Sequence, residues 1–451
     1  MQAVVVGAGL AGLSSAHRLK QAGFEVTVFE KTARVGGRVL TTRRDGYIID
    51  SSADAMSEDY VYYKSLAEDV GLGARFVPSS ATVGIIRGGR VIDIDTTRKS
   101  AILFTKALSW PGKLRFFWGL LKHRKLFAEV DSSFLTESAD RDSDTESALE
   151  FSQRAFGREA TEYLIDPLIR IVTGTGSAQV SRLSVLGGLV NWSVPIINIL
   201  GGLDLLPQTV ASALRVRTNC EVTAVKELPG GVDIAYRNQS GTPQVQRADV
   251  CVIATTHPAA EAIYPKLLDC MPGYSDHLEY TRMVAVSLAY DAPTKTKAYA
   301  IQVPESENAD ITMFSLQHNK AADRVPAGHS LLHIYTDSRV ASRFLEMSED
   351  DIVRWAREVC ERLFPELTGH YQFSDISRWA LTVPLPNPGF WRRTHQLLQS
   401  LPESSRVQVG GDLFGAGSME SAIAWGDRAA RRLIAHHPAC ASETTDTRLA
   451  G

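Results

Sequence analysis

The chain opens on a short apolar run and then breaks into glycine. Residues 3–6 are wholly apolar and β-prone, the kind of run buried in a parallel sheet. Residues 10–21 follow with a helical period, Gly23 ends that stretch, and residues 25–29 read as a second strand. Further along, residues 218–225, 249–255 and 406–411 read as strands, and a C-terminal helix reaches about Ile434. Strands at 283–290 and 330–335 come before a helix predicted over 349–363. That helix starts after Ser348, with Asp350 and Asp351 in its first turn, as capping favours. Residues 76–204 read as mostly helical. Strands alternating with helices predict an α/β fold around a parallel sheet.

The first turn carries chemistry. Gly7, Gly9 and Gly12 match GxGxxG, with Leu10 and Ala11 between the last two. In that motif the first glycine permits the turn, the second lets backbone approach a pyrophosphate, and the third lets the helix pack close to its strand. The helix then aims its N-terminal amides at the phosphates. Glu30 stands at the tip of the second strand, 18 residues after Gly12, close to the ~20 expected of an acid that bonds a ribose. A carboxylate there accepts from both ribose hydroxyls and repels a 2′-phosphate, so the nucleotide is NAD or FAD.

Lys31 and then Gly36-Gly37-Arg38 follow the acid. With these residues the chain resembles the flavin-dependent amine oxidase superfamily, in particular its protoporphyrinogen oxidase and carotenoid desaturase branch. The resemblance runs the length of the chain. Residues 156–159, 165–168 and 182–184 look like the helical cap of that branch, and 201–207 like its return to the flavin domain. Residues 249–255 look like a strand under the dinucleotide. Gly410-Gly411-Asp412 and the stretch from Gly415 to Ala422 look like its C-terminal signature.

The resemblance implies a discontinuous Rossmann-like FAD-binding domain over residues 1–75, 205–268 and 396–438. An α+β substrate domain with a helical cap would then comprise residues 76–204 and 269–395. It further implies that the backbone of Val222 meets the adenine and that Gly411 and Asp412 hold the ribityl chain. Ser418 and Met419 would start the helix whose amides face the pyrimidine end of the flavin, where reduced flavin carries negative charge. Glu420 is expected to cap that same helix. No cysteine falls in the stretches near the ring, so FAD is expected to be noncovalent.

Bulk properties narrow the partners. A net charge of −3, with 22% charged residues, excludes the basic balance of a nucleic-acid binder or a polybasic anchor. The five cysteines form no CxxC pair, which excludes a disulfide framework or a zinc site and fits a reduced, cytoplasmic setting. No leader is expected at the N-terminus, and no run of ~18 apolar residues spans a bilayer. Residues 439–451 are polar and small, and read as a disordered tail. The acidic run 137–147 reads as a solvated loop. Residues 108–127, basic and aromatic, can line the cap's interior or lie on a membrane surface as an interfacial helix.

Amine oxidases of this superfamily place a lysine near the flavin and flank the ring with aromatics. Here Ala285 stands at the lysine position and Ser418 at one aromatic position. Both departures count against amine oxidation. The resemblance to the oxidase and desaturase branch implies oxidation, by desaturation, of a hydrophobic and cyclic small molecule, with oxygen or another acceptor taking the electrons. Amine oxidation, a flavin-dependent isomerase and a binding protein on the same fold are the alternatives. Asp54, on a loop beside the ring where Ser51 replaces a common glycine, is the candidate base if burial raises its pKa. A role in ordering its own loop is the other reading. Trp379 and Tyr290 are the expected substrate-cavity residues, while His17 and His257 read as structural.

Overall fold

In a computed structural model the chain is described over residues 1–98, 100–128, 130–137, 144–190, 194–415 and 417–439. The tail from 440 onward, and residues 138–143 of the acidic run, lie outside the described residues. What is described of that run is less solvated than its composition predicts. Asp144 is buried and accepts hydrogen bonds from the Ser181 hydroxyl and the Trp391 amide.

The opening strand Gln2–Val6 lies at the centre of a five-stranded parallel sheet, flanked by Glu25–Phe29 and Val250–Ile253. Arg215–Arg217 and Val407–Val409 complete its edges. Three separate stretches of chain therefore build one sheet, because a parallel pairing needs a long crossover between partners. The helix Leu10–Gln21 packs against the sheet and against the C-terminal helix Met419–His436. Their junction is tight: the Ser15 hydroxyl donates to the carbonyls of both Ala11 and Gly426 at 2.8 Å.

A seven-stranded sheet forms the second layer, ordered Tyr371–Trp379, Met283–Tyr290, Ser330–Thr336, Ile311–Leu316, Ala300–Gln302, Thr82–Arg87 and Arg90–Asp95. The hairpin from the largely helical segment thus joins strands that come two hundred residues and more later in the chain. One face of this sheet packs on the helix Glu349–Leu363, through Val284, Val286, Leu288 and Tyr290. The strand Ile196–Ile199 pairs with Met56–Ser57 and Phe76–Pro78, and Ile197, Ile199 and Leu203 sit in the nucleotide-side core. The chain has returned to that side several residues before the expected boundary at 205.

Candidate flavin site and substrate cavity

The two glycine motifs are built against each other. The Gly36 amide donates to the Ala8 carbonyl at 2.8 Å, and Gly9 bridges Gly36 as a parallel pair. At Gly37, with φ +58°, a Cβ would stand 3.1 Å from the Gly9 Cα, so this position favours glycine. A Cβ on Gly12 would lie 1.9 Å from the Gly7 carbonyl oxygen, which is why helix and turn approach so closely. No side chain caps the helix at Gly9, and Gly9, Leu10 and Ala11 all border a cavity. First-turn amides without a protein acceptor, facing open space, are what a pyrophosphate needs.

Glu30 is buried at the end of its strand and lines the same cavity. One carboxylate oxygen accepts the Ala8 amide at 3.0 Å, and the other accepts the amide and hydroxyl of Thr32, each at 2.8 Å. The acid thereby fixes the glycine turn while its remaining lone pairs face the groove. Lys31 lies exposed on the rim. Cys220, Val222 and Ile263 line the far end of the groove. The Arg38 guanidinium donates to the Thr382 carbonyl, tying the GGR loop to the substrate side.

At the other end, Gly411, Ser418 and Met419 also line the cavity. Ser418 caps the C-terminal helix, its hydroxyl accepting the Ser421 amide at 3.1 Å. Asp412 opens the turn Asp412–Phe414, but its side chain lies outside the described residues. Glu420 corrects its expected role. Its carboxylate accepts the amides of Tyr62 and Tyr63 at 2.7 and 2.8 Å, so it caps the helix Val61–Asp69 rather than its own. Burial raises its pKa against those two bonds. Tyr60, just before that helix, bonds Ser418 and is pushed up to about 12 by burial.

Between these ends the cavity measures about 1810 Å³, well above the roughly 300–1,000 Å³ of a site for one small ligand. Past Met419 it runs over the seven-stranded sheet, where Met283, Met313, Tyr335 and Trp379 form the floor and Leu168 and Ile171 lie opposite. Trp379 lines the cavity, its indole N–H directed at the Ser51 carbonyl 3.4 Å away. Tyr290 does not line it. It lies on the opposite face of its strand, fully buried against the helix Glu349–Leu363, because side chains alternate and Met283 and Ala285 share the cavity-side cluster. Among the described residues the lysine that lines the cavity is Lys31, at the nucleotide end.

Asp54 lines the floor, yet its environment differs from the one a base requires. Burial raises its pKa, but the ammonium of Lys320 and the ring of His333 overcome this and hold it below the ordinary value. Lys320 pairs with its carboxylate, and Gln317 donates to that carboxylate at 2.6 Å. Four residues away in each strand of chain, buried Arg324 pairs with buried Asp50 at 3.1 Å. Neither cation was identified from the sequence. Both come from one short segment, 317–324, and the available signal was a lysine and an arginine following an apolar strand. His257, buried and bonded to Glu261 at 2.9 Å, starts a helix.

The chain matches the family described as flavin containing amine oxidoreductase over residues 10–434. It is 22% identical to coproporphyrinogen III oxidase of Staphylococcus aureus, covering 96% of this chain and 98% of that protein. It is 36% identical to protoporphyrinogen oxidase 2 of Arabidopsis thaliana over 183 residues, 40% of this chain and 34% of the plant protein. Cyclohexylamine oxidase from Brevibacterium oxydans shares the fold with a TM-score of 0.76 at 17% identity, covering 95% of this chain and 98% of that one. With a groove that fits FAD from Glu30 to Met419, the chain belongs to the flavin-containing amine oxidoreductase family and is an FAD-dependent oxidoreductase.

Proposed function

We propose that this chain takes two electrons from an apolar, cyclic small molecule by desaturation, with oxygen as an acceptor. The observation that carries the reading is the chamber beyond the FAD groove, floored by Met283, Met313 and Trp379, with alanine rather than lysine at 285. Bound FAD supplies a two-electron acceptor that no side chain offers. The chain's own residues position and shield. The glycine loop and Glu30 hold the nucleotide, and the apolar floor excludes water. Asp54, ionised and held by Lys320, shapes the chamber wall and does not receive a proton.

The relative from Staphylococcus aureus is named for a porphyrinogen, so a reduced tetrapyrrole is the first substrate to test. Residues 1–75, 205–268 and 396–438 would hold FAD and the intervening stretches the substrate, with 196–204 joining the nucleotide side. The test is anaerobic mixing of the holoprotein with porphyrinogens, steroids and amines, read as loss of flavin absorbance near ~450 nm. Bleaching by a porphyrinogen and not by amines is expected. Bleaching by amines with release of a carbonyl product assigns amine oxidation instead, and a flavin that no cyclic compound bleaches overturns the reading.

A further inference from the structure

Side chains of the seven-stranded sheet alternate between its two faces, and one row of paired residues crosses the chamber side. Gln302 pairs with Ile85 on one neighbouring strand and with Met313 on the other. Met313 pairs in turn with Tyr335, and Tyr335 with Ala285. Ile301, next to Gln302, packs into the core on the opposite face. Ile85, Gln302, Met313 and Tyr335 all line the cavity. Gln302 thus puts an amide into a row that is otherwise apolar or aromatic.

That amide stands unpaired. Gln302 is 6% exposed, and its carbonyl oxygen is buried with no hydrogen-bond partner among the described residues. A buried acceptor without a donor destabilises the folded chain, and such groups in a native protein call for a reason. Other polar groups of the floor are already satisfied. The Tyr335 hydroxyl stands 3.2 Å from His333 Nδ1, and the Thr312 hydroxyl donates to the Tyr335 carbonyl at 3.2 Å. Lys320 and Gln317 hold the Asp54 carboxylate. The hydroxyls of Ser184 and Thr382 also border the cavity without partners among the described residues. A hydroxyl turns to give or to take, so neither imposes a choice on a ligand, whereas the Gln302 carbonyl only accepts.

We propose that the Gln302 carbonyl determines specificity by accepting an uncharged ring N–H of the substrate, the donor that a pyrrole or a reduced tetrapyrrole carries. The inference rests on the apolar, cyclic substrate class proposed above. A protonated amine fits this floor poorly. Asp54, the carboxylate there, is already neutralised by Lys320, so a buried ammonium would lack a counter-charge. A ring N–H that leaves water regains its hydrogen bond at Gln302. The same ring without the N–H leaves the carbonyl unpaired, and a site built around a polar contact rejects the analogue that lacks it.

The holoprotein is held reduced with dithionite, so that binding is read without turnover, and titrated calorimetrically with a porphyrinogen and with its N-methylated form. The wild-type chain should bind the N–H form about tenfold more tightly, the worth of one hydrogen bond. Gln302→Leu and the similarly shaped Gln302→Met should bring the two affinities together, with flavin content unchanged and the melting temperature equal or higher. The bulk of the methyl group is the same in every comparison, so the variants isolate the hydrogen bond. A preference of equal size in wild type and variants overturns the proposal, as does failure of both forms to bind. A lower melting temperature in both variants makes the amide structural and overturns it as well. So does a steroid ketone whose affinity falls in the variants while the N–H preference persists, which assigns the amide's NH2 to a carbonyl. The two readings fail separately. N–H selectivity without bleaching of the oxidised holoprotein keeps the subsite and removes the desaturation, and bleaching without selectivity does the reverse.

Discussion

Lys320 donates to Asp54 twice, to the carboxylate and, at 2.6 Å, to the backbone carbonyl of the same residue, across 266 positions of sequence. The lysine side chain is fully buried and the aspartate nearly so. The pair clamps the loop after Tyr47–Asp50 onto the segment that follows Ile311–Leu316, beneath the substrate chamber. Removing one partner of such a pair leaves an uncompensated buried charge. Lys320→Met should therefore cost about 3–5 kcal/mol of unfolding free energy, and pairing it with Asp54→Asn should recover part of that loss. Denaturant titration of the single and double variants measures both, and full additivity would show that the two groups do not act as a pair.

One buried and one half-buried histidine set a pH dependence. Burial lowers His333 to about 3 and His318 to about 4, from an ordinary 6.5. Below that ordinary value the unfolded chain binds protons that the folded chain does not. The stability they contribute is thus complete above pH 6.5 and is lost as pH falls toward 4 and 3. Each contributes a slope of roughly 1.4 kcal/mol per pH unit in that window. His333→Gln should remove about one proton from the slope, read from urea midpoints measured across the window.

Glu30 holds the glycine turn and lines the cavity, so its removal affects both. Glu30→Ala should weaken FAD binding by about 10- to 100-fold, the worth of one or two hydrogen bonds to a charged group. Recovery of flavin fluorescence quenching by the apoprotein measures this directly. Acid precipitation of the wild-type holoprotein should release all of its FAD.

Tyr290 offers a control for the cavity. Its hydroxyl is buried with no hydrogen-bond partner among the described residues, so Tyr290→Phe should raise stability by roughly 1 kcal/mol and leave substrate binding unchanged. Met313→Trp, on the chamber floor, should raise KM for an apolar substrate while flavin content stays the same. A matched effect from the two variants would mean that the floor has been assigned to the wrong face of the sheet.

Glu420 joins the starts of two helices, and Glu420→Ala strips the acceptor from the amides of Tyr62 and Tyr63. A loss of about 1–3 kcal/mol is expected. Because burial raises this carboxyl's pKa, its own ionisation costs stability as pH rises through the raised value. Glu420→Gln should flatten that part of the pH profile.

Local pattern alone determined much of this molecule. The helix Leu10–Gln21, the strands Glu25–Phe29 and Met283–Tyr290 and the helix Glu349–Leu363 are legible in periodicity and caps, since each depends on contacts a few residues apart. The glycine turn was legible for the same reason: Gly7, Gly9, Gly12 and Glu30 lie within one strand–helix–strand unit. Tertiary structure decided which face of a strand meets the chamber, which amides Glu420 caps, and which cation neutralises Asp54. Those outcomes join residues hundreds of positions apart. Burial then governs charge there, through the low dielectric that makes a buried carboxylate depend on its nearest cation.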